Sequence, residues 1–166
     1  IVEDWQKDGE SRHEIIINLS TESTTTSWYL NTGVRVWSSR SSQDLLVPVI
    51  SLGFHRKNWA ISAGGGYAPW EKNSVFGSTK DGLVFVEIIS YPERELTLKG
   101  GFLIGWEFLS ETDHWVTKVE SLFIGPTYRW RFLEASLVYT PARITTLTKD
   151  PFWQSGILAG IEIKIN

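Results

Sequence analysis

From Glu95 to Leu109 the chain alternates without a break between two chemically different sets of side chains. Leu96, Leu98, Gly100, Phe102, Ile104, Trp106 and Phe108 share one parity, and Thr97, Lys99, Gly101, Leu103, Gly105, Glu107 and Leu109 the other. Side chains on a strand point alternately to its two faces, so the segment presents a large apolar face backed by small and charged groups. Globular strands usually run to about 5–6 residues, whereas a tilted strand needs roughly 9–11 to cross the hydrocarbon core of a bilayer. The alternation is therefore long enough for a membrane-spanning strand. No continuous apolar run approaches the roughly 20 residues of a membrane helix, so a crossing here requires strands closed into a barrel.

Composition removes several other classes. The 166 residues suit one domain, and 16 Lys plus Arg against 19 Asp plus Glu give a net charge of -3, without the basic balance that nucleic-acid binding requires. Nucleic acid is not an expected partner. The absence of cysteine rules out disulfides and thiolate chemistry. The sequence opens on Ile1 without an initiating Met or a recognisable signal peptide, and the numbering is expected to begin after processing or trimming.

The pattern becomes regular after Thr26. Eight strands are expected near 27–37, 45–55, 59–68, 82–91, 95–109, 114–128, 131–142 and 153–166. Short connections at Arg56–Asn58, Pro92–Arg94 and Arg129–Trp130 alternate with longer ones at 37–44, 69–81, 110–113 and 143–152. That asymmetry is the arrangement of outer-membrane barrels, with short periplasmic turns and long outer loops. Residues 1–26 read as an N-terminal extension and 27–166 as the barrel. Within the extension Asp4 is expected to cap a short helix through Asp8, and Ile15–Ile17 to form a short strand outside the barrel, since a ninth strand would break the even count.

Aromatic residues gather toward the strand ends. Trp28, Tyr29, Phe54, Trp59, Tyr91, Tyr128, Trp130 and Phe132 fall near the short turns, and Trp37, Tyr67, Trp70, Trp106, Phe108, Trp115, Tyr139, Phe152 and Trp153 near the long loops. Two such bands suit the two membrane–water interfaces. With the strand Leu96–Phe108 and the last strand Ile157–Asn166, the pattern resembles the eight-stranded outer-membrane barrels, the superfamily architecture of the OmpA membrane domain, OmpX and the small lipid A-modifying barrels. The resemblance spans Trp28 to Asn166 and rests on pattern rather than a family motif. It implies an all-β, closed antiparallel up-and-down transmembrane barrel of eight strands in a bacterial outer membrane. One departure is Asn166 itself, where such barrels end in an aromatic residue read by the assembly machinery.

The face opposite the apolar one is rich in small residues: Ala60, Ser62, Gly64, Gly66, Gly101, Gly105, Gly156 and Gly160. An eight-stranded barrel has room inside for little more than its own side chains, so small residues with a few long charged ones suit the lumen. Arg35, Lys99, Glu107, Glu134, Glu162 and Lys164 are then lumenal, with Arg35 expected to reach Glu162 and Glu134 to reach Lys164, forming a plug of ion pairs. The competing architecture is a soluble calycin-like barrel that turns its apolar face inward around a ligand.

Catalytic chemistry has few residues to draw on. The three histidines are not at metal-ligand spacing, so neither a metal nor a cofactor is expected. Ser110, Asp113 and His114 are the one place where a hydroxyl, a carboxylate and an imidazole crowd together, and adjacency on a strand does not make a triad. Lipid A deacylases carry His-x-Ser, whereas the contexts here are His13-Glu-Ile, His55-Arg-Lys and His114-Trp-Val; the loop 37–44 also lacks the His of the palmitoyltransferase barrel. A lipid A-modifying enzyme stays an alternative to the preferred reading, a small structural or surface-interaction barrel. Arg40, Lys72 and Arg143 are the loop candidates for lipopolysaccharide phosphates, and the same loops could dock a protein partner.

Overall fold

A computed structural model describes the backbone of residues 2–7 and 10–15, and backbone and side chains at 26–39, 44–74, 77–112 and 114–165. Eight long strands form the barrel: β3 Ser27–Ser39, β4 Leu45–Arg56, β5 Trp59–Tyr67, β7 Gly77–Ser90, β8 Leu96–Leu109, β9 Trp115–Trp130, β10 Leu133–Thr146 and β11 Phe152–Ile165. Each pairs antiparallel with its neighbours in the chain, and β11 closes the ring against β3 from Gly156↔Ser39 to Ile165↔Leu30. Closure leaves no long sheet edge to aggregate. The three-residue strand β6, Lys72–Ser74, is a short addition paired with the start of β7.

The segment preceding the barrel differs from expectation. In place of a helix from Asp4, β1 Val2–Lys7 pairs with β2 Glu10–Ile15 as a separate two-stranded antiparallel sheet. A six-residue segment with Val, Trp and Gln has nothing to favour helix once a partner strand is available, because helix nucleation costs more than one turn returns. Only Ile15 of the Ile-rich run lies in β2; Ile16 and Ile17 fall outside the described residues.

Connections differ in detail. The expected long loop 69–81 is in part a hairpin, because β7 begins at Gly77 rather than Gly82 and folds back on Lys72–Ser74. Likewise β10 runs to Thr146, so the last long loop contracts to 147–151. At the other end the turns are tight, and two of them use left-handed backbone at non-glycine residues, Tyr91 (φ 47°) and Arg131 (φ 55°).

The glycine run in β5 has a packing cause. A Cβ at Gly66 would run into the Pro48 carbonyl on β4, so the two strands approach as closely as they do only with hydrogen at that position. Gly53 plays a related part, lying under the Tyr29 ring, which turns inward.

Candidate functional site

The two faces of the sheet fix where chemistry can occur. On β8 the inward residues Thr97, Lys99, Leu103, Gly105 and Glu107 are buried, while Leu96, Leu98 and Phe102 are exposed. The same parity holds around the ring. Leu52, Ile88, Leu122, Ile124, Leu137 and Ile161 lie on the outer surface with more than half their area exposed.

Inside, six charges of alternating sign run across the lumen. Glu162 meets Arg35 at 2.6 Å, Arg35 meets Glu87 at 2.9 Å, Lys99 meets Glu87 at 3.5 Å and Glu134 at 2.6 Å, and Glu134 meets Arg129 at 2.7 Å. Three carboxylates and three cations cancel. Ser62 adds a hydrogen bond to Glu87 at 2.8 Å, and the Arg35 guanidinium stacks 3.5 Å over the Phe85 ring. Arg35, Glu87, Lys99, Glu134 and Glu162 are almost fully buried. Buried charges are tolerable only when paired and hydrogen-bonded, and the alternation supplies each interior member with two partners.

Apolar side chains close the lumen on either side of this ladder. Toward the long loops, Trp37, Leu45, Val47, Leu103, Val119 and Leu158 belong to one buried cluster, with the Trp37 indole donating to Thr140 Oγ1 at 3.0 Å. Toward the short turns, Tyr29, Ala60 and Ile89 form a second. Ile89 is the register partner of Lys99, and Glu87 stands two residues from both Ile89 and Phe85, which places the charges between the clusters. Tyr29 and Trp37 are thus lumenal residues, contrary to their expected place among the surface aromatics: their parity on β3 matches Arg35 rather than Trp28.

A second polar cluster occupies the long-loop mouth. Asp81 and Glu107 are register partners; Lys72 binds Asp81 at 2.8 Å and the Asp44 carbonyl at 2.8 Å, while Thr79 and Thr117 each donate to Glu107 at 2.9 Å. Just above, Ser78 donates to the exposed Glu71 carboxylate at 2.6 Å; that bond, with help from Ser110, holds the Glu71 carboxyl below its ordinary range.

The residues singled out from sequence therefore divide. Arg35, Lys99, Glu134 and Glu162 meet in the ladder, but Glu107 belongs to the mouth cluster. Lys164 does not pair with Glu134; it lies 4.2 Å over the Tyr29 ring, while Lys99 and Arg129 take Glu134. Sequence reading missed Glu87, Arg129 and Asp81. Parity alone would have found Glu87, since it shares a face with Phe85 and Ile89 within the otherwise apolar stretch from Leu83 to Ile89. Lys72 is turned into the mouth, whereas Arg143 is exposed on the outer face of β10. Arg40 and Asp113 lie outside the described residues. Ser110 and His114 are not brought together: Ser110 Oγ lies 3.5 Å from Ser78 Oγ, and His114 Nδ1 lies 2.9 Å from the Thr112 carbonyl. Among the described residues no group of three or more potential ligands is placed to hold a metal.

The outer surface also carries aromatics at both ends. Trp28, Phe54 and Trp59 pack successively with ring centroids 5.5 and 5.6 Å apart by the short turns; Tyr67, Phe108 and Trp106 do so at 6.1 and 6.3 Å by the long loops. Near the latter end a crevice of about 830 Å³ is lined by Ser38, Tyr139, Trp153, Ser155 and Ile157 among others.

No protein-family model matches this sequence, and no curated protein matches it. Among solved structures, the crystal structure of Neisserial surface protein A is similar at 15% sequence identity, covering 85% of this chain and 99% of that one with a TM-score of 0.48.

Proposed function

We propose that this chain is an integral outer-membrane barrel with a sealed lumen, acting as a structural or surface-interaction element rather than as a channel. The observation that carries this reading is the inversion of polarity. Exposed Leu, Ile, Val or Phe side chains stand on the outer face of every long strand, while Arg35, Glu87, Lys99, Glu134 and Glu162 are buried at the centre. Soluble monomers rarely expose an apolar patch beyond a few hundred Å², and a calycin-like barrel would place these two surfaces the other way round. In lipid the outer band is matched, and the charges inside avoid the roughly 2–4 kcal/mol that an Arg or Lys facing mid-bilayer lipid would cost.

The aromatic groups at the two ends support the same placement, since Trp and Tyr favour the interface between hydrocarbon and headgroups. Trp28, Trp59, Tyr91, Tyr128 and Trp130 form the band at the short-turn side, and Tyr67, Trp70, Trp115, Tyr139 and Trp153 the band at the other. Short turns then face the periplasm. The paired ladder and its two apolar clusters support a closed lumen. The exposed outer end supports contact with lipopolysaccharide or a protein partner.

Extraction from membranes in detergent followed by electrophoresis with and without boiling tests the placement. A folded band migrating apart from the boiled one is expected, and full solubility without detergent would contradict the reading. Planar-bilayer recording tests the seal: stable large channels would overturn it.

A further inference from the structure

The two mouths of the barrel differ in sign and in how fully their charge is answered. At the long-loop end the carboxylates of Asp81 and Glu107 share the Lys72 ammonium. At the short-turn end the inward positions carry basic groups: His55 near the end of β4, Arg129 near the end of β9 and Lys164 near the end of β11. Tyr29 links them. Its ring lies against Gly53, which precedes His55 by two residues on the same face of β4, and the Lys164 ammonium stands 4.2 Å over that ring. The Lys164 backbone N–H donates to the Phe132 carbonyl at 2.7 Å, in the turn that follows Arg129. Arg129 and Lys164 both act electrostatically on His55, so the three side chains face one small space.

Each of these groups has a donor to spare. Arg129 spends Nη2 on Glu134 at 2.7 Å, and its Nε has no acceptor among the described residues. Lys164 is half-buried, yet no described carboxylate comes within ion-pairing distance of it, and a ring face accepts no hydrogen bond of ordinary strength. In the tautomer that accepts from Ser27 Oγ at 3.4 Å through Nδ1, the His55 proton sits on Nε2, where Glu93 at 3.9 Å is too distant to take it. The lumenal ladder is neutral by itself, so Lys164 is an uncompensated positive charge at this mouth. Donors on three separate strands surround their acceptor rather than meeting it along one edge. A carboxylate offers two oxygens in a plane, whereas a phosphate offers oxygens in several directions.

We propose that the short-turn mouth is an anion site for a phosphate group, held by Lys164 and Arg129 with His55 as the third donor. All three side chains stand behind the wall of strands, which makes the aqueous compartment their source of phosphate rather than a lipid headgroup. The site needs the closed barrel alone and does not depend on which membrane holds it.

The test is an NMR titration of the folded chain in phosphatidylcholine nanodiscs, following the Arg129 Nε–H and the His55 ring. Inorganic phosphate is added into the millimolar range against chloride at matched ionic strength, which removes general screening. Saturable shifts at both groups are expected for the wild type. Lys164→Gln should weaken binding by about tenfold or more, since it removes a hydrogen bond to a charged group, and Lys164→Arg should restore most of it. Arg94→Gln is the control: Arg94 is an exposed turn cation 4.5 Å over the Tyr91 ring, and its loss should leave the affinity unchanged. Wild-type shifts that never saturate overturn the proposal, as does equal weakening by Lys164→Gln and Arg94→Gln, which would mark a diffuse field in place of a site. A parallel sample holds phosphatidic acid in the disc and no free phosphate. Shifts of the same two groups there would overturn the aqueous source and assign the site to a lipid headgroup.

Discussion

Replacing Glu87 with Met takes the central carboxylate out of a six-member ladder. Arg35 keeps Glu162 at 2.6 Å and Lys99 keeps Glu134 at 2.6 Å, but the buried set moves from neutral to a net positive charge. Lys99→Met does the reverse and leaves one carboxylate in excess. Breaking a buried pair by removing one partner typically costs about 3–5 kcal/mol, because the other charge stays desolvated. Either single variant is therefore expected to lower the urea midpoint of the lipid-embedded barrel by about 1 M or more, for a slope of roughly 1–3 kcal/mol per M. The double variant Glu87→Met/Lys99→Met leaves two self-contained neutral pairs, Arg35 with Glu162 and Arg129 with Glu134. It should be destabilised by less than the sum of the singles, by about 2 kcal/mol or more, within the range of measured couplings. Equilibrium urea unfolding in large unilamellar vesicles, followed by tryptophan fluorescence, measures all four proteins. Strict additivity would refute the account, since it would mean that Glu87 and Lys99 do not compensate one another.

Three other perturbations probe separate parts of the fold. Trp37→Ala should cost about 3–5 kcal/mol in the same assay, yet leave the barrel non-conducting because Leu45, Leu103 and Leu158 still fill that layer. Gly66→Ala drives a methyl into the Pro48 carbonyl, so refolding into vesicles should lose most of its heat-shifted band; a wild-type yield would show that β4 and β5 can separate freely. Glu71 is exposed and its folded carboxyl is held down by the Ser78 hydrogen bond, so whatever it contributes is present above the ordinary glutamate value of 4.5 and lost as pH falls through the depressed one. NMR titration of Glu71 should place its midpoint below 4.5, and Ser78→Ala should move that midpoint upward; an unmoved midpoint would assign the shift elsewhere.

The architecture was legible because the period of two persists through strands of nine to sixteen residues, far longer than a chance alternation. The largest boundary shifts came where tertiary pairing extended a strand, as at Gly77 and Thr146, positions whose own residues say nothing about a partner. The site was legible in part. Parity placed Arg35, Lys99, Glu134 and Glu162 inside, but which charge meets which depends on stagger between strands, and stagger is not written in any single strand. Lys164 illustrates this: it shares the inward face with Glu162, yet its level in the barrel sets it against Tyr29. Tyr29 and Trp37 were misplaced for the opposite reason, since their nearness to strand ends outweighed their parity. The Lys72 contact with Asp81 required the β6 hairpin, which a loop rich in Ser, Asn and Gly does not announce.

The central claim is that the outer face of the barrel meets lipid and the inner face meets neither lipid nor bulk water. The chain contains no cysteine, so a single engineered one gives a unique attachment point for a nitroxide. Placing it in turn at positions 121 to 128 of β9 and measuring collision with oxygen and with a water-soluble nickel chelate in vesicles reads both environments. Labels at Leu122, Ile124, Pro126 and Tyr128 should be reached by oxygen, with the chelate excluded most strongly at Leu122 and Ile124, while those at Ser121, Phe123, Gly125 and Thr127 are shielded from both. Free access of the chelate to Leu122 and Ile124 would contradict the account.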